Sequence, residues 1–359
     1  VTYAGWEAVG AAVSAPSYGH AASAITPGTP GNPYFIKSPE DLAWFANQVN
    51  NVEGQTGLCG KLMVDLNLYG SVYNGENAYD STNDPSLDKA LPWVPIGKSQ
   101  DAGKGYTGTF DGNGHTVSVI KTKETTSQLV GLFGILGSNA NIKNLGIGKG
   151  PVRLTGLYTG GIAGYIQGTD VALTGCWNEG TLTGVGDDAI GGILGNSGAS
   201  SNNLVINGCY NIGTVNSSVA SRLGGIVGTL TSVTNGTMTV QNCYNRGTVN
   251  GTRQNAVAGG IVGVLTATGT VKQCYQAGEV TVATANAIVG IKNGNVEHCF
   301  YDTSYTATDT AATGIYHTNF ATWGAAFGLN GESLSQTGDI SWTYESGEYP
   351  TYGTLSGAE

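Results

Sequence analysis

"QNCYNRGTVNGTRQNAVAGGIVG", residues 241–263, decides how the chain is read. A cysteine, an aromatic and an asparagine sit together, followed by a glycine-rich apolar run. Taken alone, Cys243, Tyr244 and Asn245 look like a small reactive or ligand-binding site. The surrounding sequence makes them one rung of a repeat. "LTGCWNEGTLTG" holds Cys176, "INGCYNIGTVN" holds Cys209, and "VKQCYQAGEVT" holds Cys274. "VEHCFYD" is a shortened copy at Cys299, and "IKNLGIGKGPV" places Leu145 where the cysteine would stand. From Leu145 the copies are spaced by 31, 33, 34, 31 and 25 residues, a period characteristic of solenoids. A second phrase precedes each first one: "GLFGIL", "GGIAGYI", "GGILGN", "GGIVGTL", "GGIVGVL" and "AIVGIK".

Each copy reads as three short strands: the Gly-Ile-Val-Gly run, the segment entering the cysteine, and the Gly-Thr-Val run. Strands of this length joined by bends build a parallel β-helix, stacked about 4.8 Å per turn. The crossover rule favours a right-handed coil. Apolar residues stand three positions before each cysteine, at Leu173, Ile206, Val240, Val271 and Val296. On a straight strand that spacing would put the two on opposite faces. The residue before the cysteine resolves the conflict, being Gly175, Gly208, Asn242, Gln273 or His298, with Asn144 in the leading copy. Gly and Asn accept a left-handed bend, which turns both neighbours inward. The cysteines then face the core as free thiols, since parallel side chains on adjacent coils are poorly placed for a bridge. Asn178, Asn211, Asn245 and Gln276 are expected as an inward amide stack, and the aromatics between them and the cysteines as an outward column.

Composition agrees. Only 11% of residues are charged, and Gly accounts for 58 of 359 without the collagen period, so tight bends outnumber helices. A net charge of −10 offers no basic patch for phosphate, which argues against nucleic acid. No run of 18 apolar residues predicts a membrane span. The start at Val1, without a basic leader, reads as a processed or trimmed secreted chain, and the end at "TLSGAE" as a cut from a longer one.

The division expected is an extended N-terminal arm (1–33), a cap helix with irregular first coils (34–130), the repeat array (131–302) and an irregular C-terminal cap (303–359). "KSPEDLAWFANQVNN" carries the helix, with Ser38 as N-cap, Pro39 in the first turn and Asp41 completing a capping box. Leu42, Phe45, Ala46 and Val49 form its apolar stripe, suited to covering an open solenoid end. Phe320, Trp323, Phe327 and Trp342 are expected to supply the apolar surface of the C-terminal cap.

The "GLFG" and "GGIVG" runs, the "NCYN" phrases and the lead-in through Trp93–Gly97 and Phe110–Val117 resemble GLUG-motif repeats of bacterial cell-surface proteins. The resemblance covers roughly residues 34–352. It implies a β-helix and an extracellular or cell-surface location. Such repeats occur in adhesins and in the non-catalytic part of IgA-cleaving metalloproteases, so the resemblance transfers no catalytic residue, metal or cofactor.

The four His, at 20, 115, 298 and 317, make no His-Glu-x-x-His, and no Gly-x-Ser-x-Gly occurs. Polysaccharide hydrolysis needs paired carboxylates, for which Asp187 with Asp188 and Asp111 beside His115 are the candidates; both stretches read more simply as loop and turn. Glu76, Asp80, Asp84 and Asp88 offer oxygen ligands for Ca²⁺ but match no known loop spacing and read as a solvated acidic loop. The leading binding candidate is the outward column Trp177, Tyr210, Tyr244, Tyr275 and Phe300, a platform for sugar rings or for a host or matrix partner unless loops cover it. The function expected is a non-enzymatic adhesive or structural stalk. The alternatives are a filament subunit that adds strands to a copy through residues 1–33, and a carbohydrate-active enzyme.

Overall fold

The computed structural model describes residues 3–19, 25–70, 84–98, 105–123, 129–186, 188–198, 203–231, 236–266, 268–305, 309–315, 342–343, 349 and 351–352. The chain is a parallel β-helix with two helices at its N-terminal end. One turn from the middle shows the pattern: strands Arg222–Gly224, Val227–Leu230, Met238–Gln241, Tyr244–Asn245 and Thr248–Gly251. Each pairs in parallel with its equivalents in the turns before and after, so the turn contributes to five sheets, here numbered first to fifth in that order. The first and second sheets have six strands, the third and fourth nine, and the fifth five, giving five complete turns over Leu129–Thr281.

The sequence predicts three strands per copy and the structure has five. The Gly-Gly pair breaks the chain ahead of the Ile-Val-Gly run, so a first-sheet strand ends there and a second-sheet strand begins. The cysteine bend likewise detaches the aromatic-Asn pair as a strand of its own. That bend is left-handed as read, with φ of 52° at Asn144, 61° at Gly175, 65° at Gly208, 53° at Asn242, 52° at Gln273 and 50° at His298. Inward residues on both sides of it are buried. Leu173, Ile206, Val240 and Val271 are fully covered, as are Cys176, Cys209, Cys243 and Cys274, within one apolar cluster that runs from Trp6 to Tyr301.

At the N-terminal end the third and fourth sheets continue as strands, through Tyr34–Ile36, Gly60–Leu62, Leu66–Asn67, Thr109–Asp111 and Thr116–Ser118, while single parallel bridges from Ile96 and Tyr106 extend the second sheet and one from Lys121 extends the fifth. Helix α2 (Pro39–Asn51) closes this end. Ser38 Oγ accepts from the Asp41 N–H at 3.2 Å, while the Asp41 carboxylate accepts from the Lys37 N–H at 2.8 Å instead of returning to Ser38. Phe45 meets Phe110 and Tyr106 edge-on at 5.5 and 6.1 Å, and both of those rings touch Phe133 of the array. The expected extended arm is replaced by a second helix, α1 (Trp6–Ala12), packed on α2. A Cβ at Gly10 would lie 2.1 Å from the Ala43 carbonyl, so the two backbones touch there, and Trp6 is buried with its Nε1 donating to the Leu68 carbonyl at 2.8 Å. Of the expected C-terminal cap, Phe320, Trp323 and Phe327 lie outside the described residues; Trp342–Thr343 and Thr351–Tyr352 pair as an antiparallel hairpin.

Candidate functional site

The fourth sheet and its flanks collect the residues singled out by sequence. On its inner side the amides form a hydrogen-bonded ladder. Asn178 Nδ2 donates to Asn211 Oδ1 at 2.8 Å, Asn211 Nδ2 to Asn245 Oδ1 at 2.6 Å, and Asn245 Nδ2 to Gln276 Oε1 at 2.8 Å. Gln276 ends the run by donating to the Gly278 carbonyl at 2.8 Å. The ladder leans on the second glycine of each Gly-Gly pair: a Cβ at Gly225 would sit 2.6 Å from the Asn245 amide carbon, and one at Gly260 2.2 Å from that of Gln276. The two recurring phrases are therefore halves of one packing unit.

The cysteine column has a matching logic. The thiols of Cys176, Cys209, Cys243, Cys274 and Cys299 lie 3.5–3.7 Å from the carbonyls of Ile142, Leu173, Ile206, Val240 and Val271, one turn back and two residues before the bend position. A thiol fills the space of a small apolar side chain and still donates at the place where the bend interrupts the ladder. All six cysteines are free and buried. Burial pushes the thiols of Cys176, Cys243, Cys274 and Cys299 well above the ordinary cysteine range. It acts on Cys209 in the same direction, opposed there by donation from the Cys176 and Cys243 thiols.

The aromatic column is present but is not the open platform expected. Trp177–Tyr210, Tyr210–Tyr244 and Tyr244–Tyr275 are stacked at 5.9, 4.8 and 5.0 Å between centroids, within 12° of parallel. The rings thus lie face to face, and most of the surface that would stack a sugar is spent on neighbouring rings. Tyr244, Tyr275 and Phe300 are buried, and Trp177 and Tyr210 remain half-buried. Trp177 overlies Gly146, whose added Cβ would fall 2.3 Å from the indole. A residue that sequence reasoning missed, Tyr349, extends the stack beside Tyr275 at 6.2 Å and 6°. Its hydroxyl donates to Asp302 Oδ2 at 2.6 Å, and the Arg246 guanidinium lies 5.0 Å from its ring centroid. Tyr349 sits in a tail without periodicity, so no spacing could have announced it. Burial, with Glu179 nearby, pushes the Tyr210 phenol up to about 12 and raises Tyr244 further.

The remaining candidates are dispersed. Asp187 lies outside the described residues, while Asp188 is ion-paired with Arg222 of the next turn. Asp111 accepts from the Asn113 N–H at 2.8 Å in the anticipated turn and pairs with Lys143 at 3.6 Å, whereas His115 turns to Asp65 at 3.3 Å. Asp111 and His115 are thus engaged by different partners. Glu76 and Asp80 lie outside the described residues. Asp84 is buried and accepts from Tyr69 Oη at 3.0 Å and from the N–H groups of Asp88 and Lys89 at 2.8 Å; Asp88 pairs with Arg153 at 3.5 Å. Among the described residues no group of three or more His, Cys, Asp or Glu could hold a metal ion, and no helix is long and apolar enough to cross a membrane.

No family model matches the chain. It is 29% identical over 174 residues to "Halomucin" of Haloquadratum walsbyi, covering 48% of this chain and 2% of that protein. It is also 29% identical over 153 residues to a "Putative Gly-rich membrane protein" of Evansella cellulosilytica, covering 41% of this chain and 15% of that protein. The chain therefore spans a small part of these relatives. Among solved structures it is similar to a "putative immunoglobulin A1 protease" from Bacteroides ovatus, with a TM-score of 0.62 and 20% identity over 92% of this chain and 94% of the other. That likeness carries the fold.

Proposed function

We propose that the chain is a non-enzymatic module of a surface or secreted protein, serving as a stiff stalk or spacer built from GLUG-type repeats. The observation that carries this reading is the continuous core: among the described residues one apolar cluster, one amide ladder and one thiol column thread successive turns. Nine strands at about 4.8 Å give the longest sheets a length of about 38 Å along the axis. Rods of this kind transmit position instead of enclosing substrate. The likeness to a halomucin and to a Gly-rich membrane protein supports a place at the surface or outside the cell.

Filament assembly by donation of residues 1–33 loses its basis, because α1 and the bridge Tyr18–Tyr34 bind that segment to its own solenoid. Adhesion through the aromatic column is confined to Trp177 and Tyr210, the two half-buried rings. Two measurements test the proposal. Antibody labelling of intact producing cells and their medium should detect the protein outside, and detection only after lysis would sink the location. Incubation with immunoglobulin A1 and a polysaccharide panel should give no time-dependent product, and any product lost on Asp188→Ala would replace the stalk with an enzyme.

A further inference from the structure

Three successive turns each bring one group of the fourth sheet to a single ring. Arg246 follows the strand Tyr244–Asn245, Tyr275 opens the strand Tyr275–Gln276, and Asp302 ends the strand Phe300–Asp302. The register pairs Tyr244 with Tyr275 and Tyr275 with Phe300, so Arg246 and Asp302 occupy the same position of the repeat, two turns apart. Glu179 and Ile212 hold that position in earlier turns, and Ala277 holds it between Arg246 and Asp302. A cation, a methyl and a carboxylate thereby follow one another along the rod.

The three groups meet Tyr349 by three different interactions. Its ring lies parallel to Tyr275, at 6.2 Å and 6°. The Arg246 guanidinium lies 5.0 Å from the ring centroid. The hydroxyl donates to Asp302 Oδ2 at 2.6 Å, the length of a charge-assisted O–H···O⁻ bond. Asp302 is fully buried, and its other oxygen, Oδ1, accepts from the Ser304 N–H at 2.8 Å. A buried carboxylate oxygen without a donor is costly, so Oδ2 calls for one at this point. Burial first, then Asp302 and Tyr305 beside it, raise the Tyr349 phenol, which therefore keeps the proton it donates. Phenylalanine would satisfy the stack and the guanidinium but would leave Oδ2 unpaired. The site selects a phenol.

We propose that Arg246, Tyr275 and Asp302 form a phenol-binding site whose tethered occupant is Tyr349, so that one ring latches the C-terminal segment to the solenoid. Asp302 and Tyr349 are 47 residues apart. The cost of closing a loop rises only slowly with its length, so a single well-made contact can hold a segment this long. Emptied of Tyr349, the site accepts the same chemistry from solution.

The test uses the full chain carrying Tyr349→Ala, with N-acetyltyrosinamide as the probe. Saturation-transfer NMR should show saturable binding to Tyr349→Ala and none to wild type, whose site is filled. N-acetylphenylalaninamide should bind at least about tenfold more weakly, for want of the hydroxyl. Adding Arg246→Ala to Tyr349→Ala should weaken the tyrosine probe by about threefold. A glutamate-specific protease reads the latch without any probe: cleavage after Glu345 should be at least about tenfold faster in Tyr349→Ala than in wild type, with Tyr349→Phe between the two. No saturable binding to a Tyr349→Ala chain of native circular dichroism, or equal binding of the two probes, would overturn the phenol site. Cleavage of Tyr349→Phe at the wild-type rate would show that Asp302 needs no hydroxyl, and wild-type rates in both variants would overturn the latch.

Discussion

Asn245 shows how much a single rung position controls. Its side chain donates to Gln276 and to the Gly247 carbonyl, and it accepts from Asn211 and from the Gly247 N–H, all inside the core. Asn245→Ala strips partners from both neighbours at once, and each buried amide left unpaired costs about 1–3 kcal/mol. We expect a loss of about 2–4 kcal/mol in denaturant unfolding. Asn178→Ala, at the end of the ladder with one side-chain partner, should cost no more than about half as much. Equal losses at the two sites would show that the ladder does not act as a chain of coupled bonds. The cysteines make a second claim at this scale. All six thiols are buried out of the reagent's reach, and burial raises those of Cys59, Cys176, Cys243, Cys274 and Cys299, so Ellman's reagent should find none of the six cysteines in the native protein and all six after denaturation. Reaction of more than one before unfolding would contradict the buried column.

Within the turn, the bend was legible because its cause is local: Asn, Gly and His-type residues recur where the apolar pattern demands a left-handed residue, and the structure places one there each time. The five-strand division was not legible, because two of the strands are separated only by how closely chains approach at the glycines, a property of packed neighbours. The same holds for α1, a seven-residue helix begun at Gly5 without a side-chain cap and held by contact with α2. The spacing of the rings makes their stacking in one column legible, but not Tyr349, which extends that stack beside Tyr275 from the aperiodic tail. The glycines give the prediction at this scale. A methyl at Gly225 would meet the Gly260 carbonyl at 2.1 Å and Asn245 at 2.6 Å, so Gly225→Ala must push coils apart or break the ladder. Overpacking of this kind costs about 1–3 kcal/mol or more. Gly31→Ala, whose methyl has no neighbour nearer than 3.8 Å, should stay within about 1 kcal/mol of wild type. Chemical denaturation of the two variants side by side decides the matter, and a silent Gly225→Ala would refute the face-to-face packing of amide and glycine.

For the whole molecule, the core is unusual in holding acids that must stay neutral. Burial raises the thiols of Cys176, Cys243, Cys274 and Cys299 and the phenols of Tyr106, Tyr210 and Tyr244. In the unfolded chain the same groups ionise near their ordinary values, roughly 8.5 for Cys and 10 for Tyr. Below the unfolded values both states hold these protons and pH has no leverage through them. Above about 8.5 the unfolded chain releases thiol protons that the folded chain keeps, so the unfolded state gains and stability falls as pH rises. Each such group contributes up to about 1.4 kcal/mol per pH unit, and the phenols steepen the fall above about 10. The protein should therefore be flat in stability from about pH 7 to 8 and lose it progressively toward pH 11. Cys243→Ser removes one titrating thiol and should reduce the slope between about pH 9 and 10 by about one proton's worth, whatever it does to stability at pH 7. Urea unfolding at half-unit pH intervals measures both slopes. A wild-type curve flat to pH 10.5, or an unchanged slope in Cys243→Ser, would mean that the thiol column opens to solvent well before the solenoid unfolds.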